Sequence, residues 1–265
     1  MKLKKIIVNL ALFFVAFSTN ANQNKIDCGG INELELMNKH QFIMLGEIHG
    51  TVEVPKLFGD IVCHSVNKNN RNIAVMLELP ASLQASLDLY MANDINEDKF
   101  LAHPVWSSKW QDGRFSVAML GLINKLKTIK QQYPQKLDVF LVDLFKNTNN
   151  KPKSQYLANN ISKHLLGDYQ KTLVLTGNYH NRINLQEENS AATILSDFNP
   201  FSLTIKAPKG SYWACTGPKP SDCKVNIFNN EQVVKREGLI LFEEKKRWHG
   251  AYQFKKITFS PPVRP

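Results

Sequence analysis

The chain has 265 residues, a formal net charge of +10, and 43% hydrophobic residues. This length fits one large domain or two small ones, and the hydrophobic content is that of a globular protein rather than a disordered one. The lysines are scattered, with the densest clusters at residues 151–153 and 243–247, so the positive charge indicates a solvated surface with at most weak attraction to anionic lipids or ligands.

The first predicted element is an export signal. Basic residues at 1–5 precede an apolar run at 6–17, and "STNA" at 18–21 ends at Ala21, the expected last residue before cleavage. The run is short for a membrane span, and "KID" precedes Cys28 in place of a lipobox. We therefore expect a signal peptide at 1–21 and a periplasmic or secreted mature protein of charge +7, because three lysines are removed. Such a protein has no nucleic-acid partner and no stable membrane insertion.

Apolar runs alternate with helical periodicity through the next part of the chain. Because the runs lack the polar alternation of half-exposed strands, they predict strands buried on both faces. Pro80 is placed for the first turn of a helix that contains Leu83, Leu87 and Tyr90. Strand–helix alternation predicts parallel βαβ units, and hence an α/β fold with a mostly parallel central sheet flanked by helices. The predicted strands are 41–46, 72–80, 136–144, 172–177 and, as a fifth, 201–207, and the predicted helices are centred on 54–66, 120–129 and 156–165.

The sequence pattern changes after residue 210. Short β-prone segments joined by turn residues predict a β-rich antiparallel extension of the sheet or a small β subdomain. We expect a single domain over 22–265, with an α/β core at 22–209 and the extension at 210–265.

Four cysteines in an exported chain suggest disulfides. Cys215 and Cys223 flank a turn-rich loop and are predicted to pair, which leaves Cys28 to pair with Cys63. The sequence has no CxxC pattern, so it indicates neither redox catalysis nor a zinc ribbon.

Ionisable and polar residues lie at the ends of four predicted strands. In an open parallel sheet, ligands bind in the crevice beyond the carboxyl ends of the strands. Gly46 and Gly177 would let the backbone turn sharply there, so that the following residues hang over the sheet edge. We therefore predict that four of these side chains line one pocket and are catalytic. The residues at the strand ends are Glu47, His49, Glu78, Asp143, Asn178 and His180, and the predicted catalytic residues are Glu47, His49, Glu78 and His180.

Five of these six residues also have a structural alternative. Glu47 could cap the following helix, and His49 could be an ordinary loop histidine. Glu78 would be a buried acid that needs a partner. Asp143 could accept a hydrogen bond from the backbone, and the role of Asn178 could be limited to a turn of the chain.

The segment 103–119 connects the second and third strands and should lie above the same edge. Arg114 within it could hold an anionic group of the substrate. Trp106 and Trp110 could form a wall of the site or pack in the core. The predicted substrate-binding residues are Asp112, Arg114, Asp143, Asn178 and Arg182.

Two kinds of chemistry suit the predicted set. A histidine and a carboxylate can activate water as a general base while the second histidine acts as an acid or stabilises an oxyanion. Alternatively, Glu47, His49, Glu78 and His180 could ligate a divalent metal. The sequence contains no G-x-S-x-G, H-E-x-x-H, Walker or G-x-G-x-x-G motif.

The motifs "LGEIHG" at 45–50 and "LTGNYHNR" at 175–182, supported by "LELP" at 77–80, resemble the superfamily that unites ChaN-like haem-binding uptake proteins, erythromycin esterases and Tiki proteases. The resemblance covers residues 40–200. It is strongest to the exported bacterial ChaN-like branch, whose members also carry a "W…DGR" stretch and a cysteine-containing tail. It implies an α/β sandwich with the site at the strand ends, where Glu47, His49, Glu78 and His180 match the acidic and histidine positions.

The resemblance leaves the reaction open. Relatives hydrolyse lactones or peptides with or without a metal, whereas ChaN binds haem as a lipoprotein, and this chain lacks the lipobox. The first hypothesis is an exported hydrolase that activates water on an ester, lactone or peptide-like substrate. The alternatives are a haem- or metal-binding uptake protein and a partner-binding protein that keeps the fold without chemistry. The cofactor is accordingly none, a divalent metal or haem.

Overall fold

The computed structural model describes residues 26–31, 34–69, 72–108, 110–144, 152–183, 189–217, 219–230, 233–244 and 247–264. The predicted signal peptide and its cleavage at Ala21 lie outside the described residues.

A seven-stranded sheet organises the protein, and a two-stranded hairpin lies beside it. The order in the large sheet is β3-β2-β4-β1-β5-β9-β8, and every neighbouring pair is parallel except β8 with β9. The predicted α/β class with a mostly parallel sheet is confirmed, including the fifth strand. The strands are β1 Phe42–Glu47, β2 Ile73–Pro80, β3 Leu137–Asp143, β4 Lys171–Gly177, β5 Phe201–Lys206, β6 Lys209–Cys215, β7 Cys223–Asn229, β8 Gly238–Leu241 and β9 Gly250–Gln253.

Helices cover both faces of this sheet. One face packs on residues from α2, α3 and α5, and the other packs on residues from α6 and α7. The described part of the chain has no helix that is both long and apolar enough to cross a bilayer. The helices are α1 Leu34–Asn38, α2 Glu53–Lys68, α3 Gln84–Met91, α4 Glu97–Leu101, α5 Val117–Gln132, α6 Lys153–Leu165 and α7 Ala191–Ile194, with 3₁₀ turns at Ala81–Leu83, Pro104–Ser107, Gly113–Phe115, Ser196–Phe198 and Pro220–Asp222.

The apolar runs are continuous because both sides of each strand are buried. In β1, Leu45 packs into the cluster on one face, whereas Met44 packs into the cluster on the other. Leu175 and Val174 divide in the same way on β4. Successive side chains of a strand point to opposite faces, so a strand covered on both faces favours apolar residues at successive positions.

Two local expectations were wrong. Pro80 is the last residue of β2 rather than part of the helix that follows it. Gly46 lies within β1, paired with Thr176, and does not turn the chain. The left-handed turn comes later, at Gly50, where φ is +72°. The predicted β-rich antiparallel extension is confirmed, since β6 pairs antiparallel with β7 and β8 with β9. In addition, β9 joins the extension to β5 by a parallel pairing.

Both predicted disulfides are present. Cys28 bonds Cys63 of α2, which ties the segment 26–31 to that helix. Cys215 bonds Cys223 across the hairpin, where these two residues face each other in the β6–β7 register. Disulfides of this kind are typical of proteins that fold in an oxidising compartment.

Candidate active site

A cleft of about 370 Å³ lies over the carboxyl ends of the parallel strands. Glu47 ends β1 and is paired with Gly177, the last residue of β4. Glu78 lies near the end of β2, and His49 and His180 follow β1 and β4. The structure thus brings the four predicted catalytic side chains to one cleft, because parallel strands present the same end at the same edge of the sheet. Their roles stay predictions.

His49 lies between two carboxylates. Its Nδ1 is 2.9 Å from Glu47 Oε2, and its Nε2 is 3.7 Å from Glu78 Oε2. Burial of the ring acts to lower the pKa of His49, but the charges of Glu47 and Glu78 and the hydrogen bond to Glu47 outweigh it and raise the pKa to about 10. The imidazole is therefore charged at neutral pH. The first turn of α2 receives no side-chain cap, so Glu47 serves His49 and not the helix.

Glu78 is buried and lies at the centre of the charged groups in the cleft. Its Oε2 accepts a hydrogen bond of 2.7 Å from the backbone N–H of Gly177, and its Oε1 accepts one of 2.5 Å from Lys153 Nζ. Burial acts to raise the pKa of Glu78, but the positive charges of His49 and Lys153 hold it well below its usual range. This carboxylate is ionised and held in place from several sides.

His180 has the opposite protonation state to His49. Its Nδ1 is 2.9 Å from the hydroxyl of Ser154 at the start of α6, and its Nε2 is 3.8 Å from Glu78 Oε1. Burial lowers the pKa of His180 to about 4; the charge of Glu78 opposes the shift, and the charges of Lys153, His49 and Arg114 reinforce it. The cleft therefore holds one charged and one neutral imidazole on either side of Glu78.

Arg114 binds carboxylates of the protein itself. Its Nε and Nη2 donate to Asp112 at 3.0 and 2.6 Å, and its Nη1 donates to Asp143. Burial would lower the pKa of Arg114, but these acids raise it above its ordinary value. Each nitrogen of the guanidinium contacts a carboxylate of the protein, and Arg114 also lines the cleft, so its predicted contact with an anionic substrate stays a prediction. The arrangement favours a role in orienting Asp112 and Asp143.

Lys153 and Ser154 are site residues that the sequence reasoning missed. Lys153 lies in the "KPK" cluster that was interpreted as surface, but its Nζ reaches Glu78 and lies 3.2 Å from Asp143 Oδ2. It opens α6, the helix that follows β3. A helix that begins at the carboxyl edge of a parallel sheet presents its first residues to the site, and this position was the signal available in the sequence.

The remaining predicted residues differ in placement. Asn178 lines the cleft, but its Oδ1 also accepts a 3.0 Å hydrogen bond from Ile205 N, which fixes it against β5. A side chain at Gly46 would overlap this Oδ1, so Gly46 serves close packing. Arg182 is absent from the cleft lining, and its guanidinium lies 4.8 Å from the Tyr179 ring.

The two tryptophans of the 103–119 segment do not form a wall of the cleft. Trp106 is buried in the core, and Trp110 is exposed but is not among the residues that line the cleft.

The donor set does not resemble a metal site. Among the described residues, no group of three or more His, Cys, Asp or Glu side chains is placed to hold a metal ion. The carboxylate of Glu78 is instead neutralised by Lys153 and His49, and that of Asp143 by Arg114 and Lys153. Cations of the protein occupy the positions around these acids.

No protein-family model matches the chain, and no curated protein matches its sequence. Among solved structures, an erythromycin esterase mutant in its open conformation matches with a TM-score of 0.64 and 10% identity, over 88% of this chain and 95% of that one. The fold of this chain is similar to that of an erythromycin esterase. A succinoglycan biosynthesis protein gives a TM-score of 0.63 at 12% identity over 88% and 93% of the two chains, and a Bacillus cereus protein gives 0.59 at 10% identity over 89% and 94%. The fold expected from the resemblance is confirmed.

Proposed function

We propose that this protein is an exported hydrolase that cleaves an ester, lactone or peptide-like bond with water activated by His180 and with His49 as the acid. One observation carries the proposal: two imidazoles share a cleft, and their surroundings move their pKa values in opposite directions, to about 10 for His49 and about 4 for His180. Titratable groups whose pKa values are driven apart in one cleft are typical of an acid–base pair.

His180 has the geometry of a general base. When its Nδ1–H donates to Ser154 Oγ, its Nε2 carries the lone pair and faces the cleft beside Glu78. In the first step the lone pair takes a proton from water, and the water oxygen forms a bond to the carbonyl carbon of the substrate. Because the pKa of His180 is low, the base is in its neutral form across the physiological range.

His49 has the geometry of the acid. Its Nδ1–H is bound by Glu47, whereas the 3.7 Å from its Nε2 to Glu78 is too long for a good hydrogen bond. The Nε2–H is therefore available to the developing oxyanion and then to the leaving oxygen or nitrogen, which takes this proton as its bond to the carbonyl carbon breaks. The proton left on His180 and the one lost from His49 balance, and exchange with solvent restores both.

The other charged residues support this pair. Lys153 and the backbone N–H of Gly177 hold Glu78 between the two rings. The similarity in fold to an erythromycin esterase is compatible with hydrolysis, and the two disulfides are compatible with export. Haem needs an apolar slot and a free axial ligand, and a lining dominated by ion pairs suits water activation better.

The test is a hydrolysis assay on disulfide-intact protein. The substrates are p-nitrophenyl acetate and butyrate, a set of lactones followed by proton release, and short peptides. His49→Asn and His180→Asn should each lower kcat/KM by about 10²–10⁴-fold. The matched control is His164→Asn, since His164 stacks on Phe140 near the far end of α6 and should leave the rate unchanged.

Equal rates for the wild type and the His49→Asn/His180→Asn double variant on every substrate would refute the proposal. A Soret band on haem titration of the wild type that is absent in His180→Asn would support haem binding instead.

A further inference from the structure

The β6–β7 hairpin stands outside the seven-stranded sheet. Its two strands form a sheet of their own, and an isolated two-stranded hairpin is marginally stable by itself. The Cys215–Cys223 disulfide joins the strands at one end. Ala214 and Cys215 line the cleft, so the disulfide-bonded end of the hairpin is also a wall of the site.

Trp213, which directly precedes Ala214, hydrogen-bonds two of the loops that carry site residues. Its backbone N–H donates to the carbonyl of Gly50 at 3.0 Å, and its indole Nε1–H donates to the carbonyl of Gln111 at 2.7 Å. Gly50 directly follows His49, and Gln111 directly precedes Asp112. One residue therefore connects the segment of the charged imidazole to the segment of the Asp112–Arg114 pair.

The three segments are in direct backbone contact. Gly50 has φ of +72°, and a side chain there would overlap the backbone of Trp213. A side chain at Gly113 would in turn overlap the backbone of Gly50 and His49. Glycine is required at both positions because the loops are stacked too closely for a Cβ atom. A shift of Trp213 would therefore move both loops.

We infer that Trp213 is a positioning residue of the hydrolytic site, holding the His49 and Asp112–Arg114 segments at a fixed separation. The inference rests on the proposed function. The Cys215–Cys223 disulfide keeps Trp213 in register by closing the hairpin next to it. Displacement of a catalytic group by about 1 Å costs on the order of 10²-fold in rate, and this sensitivity is the reason for such a clamp.

The test is Trp213→Phe, which keeps an aromatic ring but removes the donor to Gln111. Trp110→Phe is the matched control, since Trp110 is 41% exposed and lies outside the cleft lining. We expect kcat of Trp213→Phe to fall about 10-fold or more with KM within about twofold. The thermal midpoint should stay near that of the wild type. Hydrogen exchange should accelerate in the peptides that cover residues 49–51 and 111–114. The Trp110→Phe protein should match the wild type in every measurement.

The Cys215→Ser/Cys223→Ser variant checks the same inference without altering Trp213. It should reproduce the fall in kcat and the faster exchange in both peptides. Wild-type kcat and exchange in either altered protein overturn the inference, as does a loss of activity explained by global unfolding in both. If the wild type hydrolyses no substrate, the proposed function fails, and the exchange data alone decide whether Trp213 couples the two loops.

Discussion

Glu78→Gln is the substitution that tests most sharply how the cleft sets its two protonation states. Glutamine keeps the shape of the side chain and an acceptor for the N–H of Gly177, but it removes the negative charge that lies 3.7 Å from His49 Nε2 and 3.8 Å from His180 Nε2. Lys153 keeps Asp143 as a partner at 3.2 Å. We therefore expect a folded protein, less stable by about 1–3 kcal/mol.

The effect on His49 follows from Coulomb's law. A unit charge 3.7 Å away interacts by about 4 kcal/mol at an effective dielectric constant of about 20, which corresponds to about 3 pH units. The His49 side chain is 25% exposed, so solvent screens part of this interaction. Glu47 remains at 2.9 Å. The pKa of His49 should therefore fall from about 10 to about 7–9 in Glu78→Gln.

The assay is an NMR titration of the imidazole resonances between pH 3 and 11, which needs no substrate. In the wild type, His49 should titrate near pH 10 and His180 near pH 4. Glu97→Gln is the control, because Glu97 binds Tyr90 and Asn124 in another part of the protein. An unchanged His49 midpoint in Glu78→Gln would show that this carboxylate does not hold the proton on His49, and it would refute the account of how Glu78 sets the protonation state of that ring.

Two further predictions concern stability. The pKa of His180 is lowered from 6.5 to about 4 in the folded state. As the pH falls, the unfolded chain therefore takes up this proton before the folded protein does, and the folded state loses stability. In urea unfolding between pH 7.5 and 4.5, the free energy of unfolding should fall by about 2 kcal/mol more in the wild type than in His180→Asn. In Gly113→Ala the added methyl group would overlap the backbone of Gly50 and His49, so the free energy of unfolding should fall by about 1–3 kcal/mol. The control is Gly121→Ala: Gly121 has open space around it in α5, and this change should raise the free energy of unfolding by about 0.5–1 kcal/mol. Similar urea midpoints for the two proteins would contradict the close stacking at Gly113.

Much of the sheet could be predicted because a strand that is buried on both faces appears in the sequence as a continuous apolar run. The runs at 41–46, 72–80, 136–144, 172–177 and 201–207 became β1 to β5 within a residue or two at each end. The β-rich extension was harder, since its strands are short and carry polar residues. Whether β9 joins β5 in parallel or folds back on a neighbour depends on contacts between distant segments, and local patterning does not encode them.

The convergence of Glu47, His49, Glu78 and His180 was also predictable, because in a parallel sheet every carboxyl end lies at one edge. Lys153 was missed because a lysine in a polar cluster looks the same in sequence whether it faces water or a buried carboxylate. Gly46 was misinterpreted for a related reason. A glycine that turns the chain and a glycine that makes room for a neighbouring side chain, here Asn178, look the same in the sequence.

The sequence by itself determined which segments are buried and which ionisable residues follow them, since both depend on local order along the chain. Only the tertiary structure decided the protonation state of those residues. His49 and His180 each come three residues after a glycine near the end of a buried strand, yet one is charged and the other neutral at pH 7. Glu78 lies beside both rings, so the difference lies in their other surroundings. Glu47 also hydrogen-bonds His49, whereas burial and the charges of nearby cations lower the pKa of His180, whose ring contacts the uncharged Ser154. Charge interactions depend on distances in space, and folding alone sets those distances.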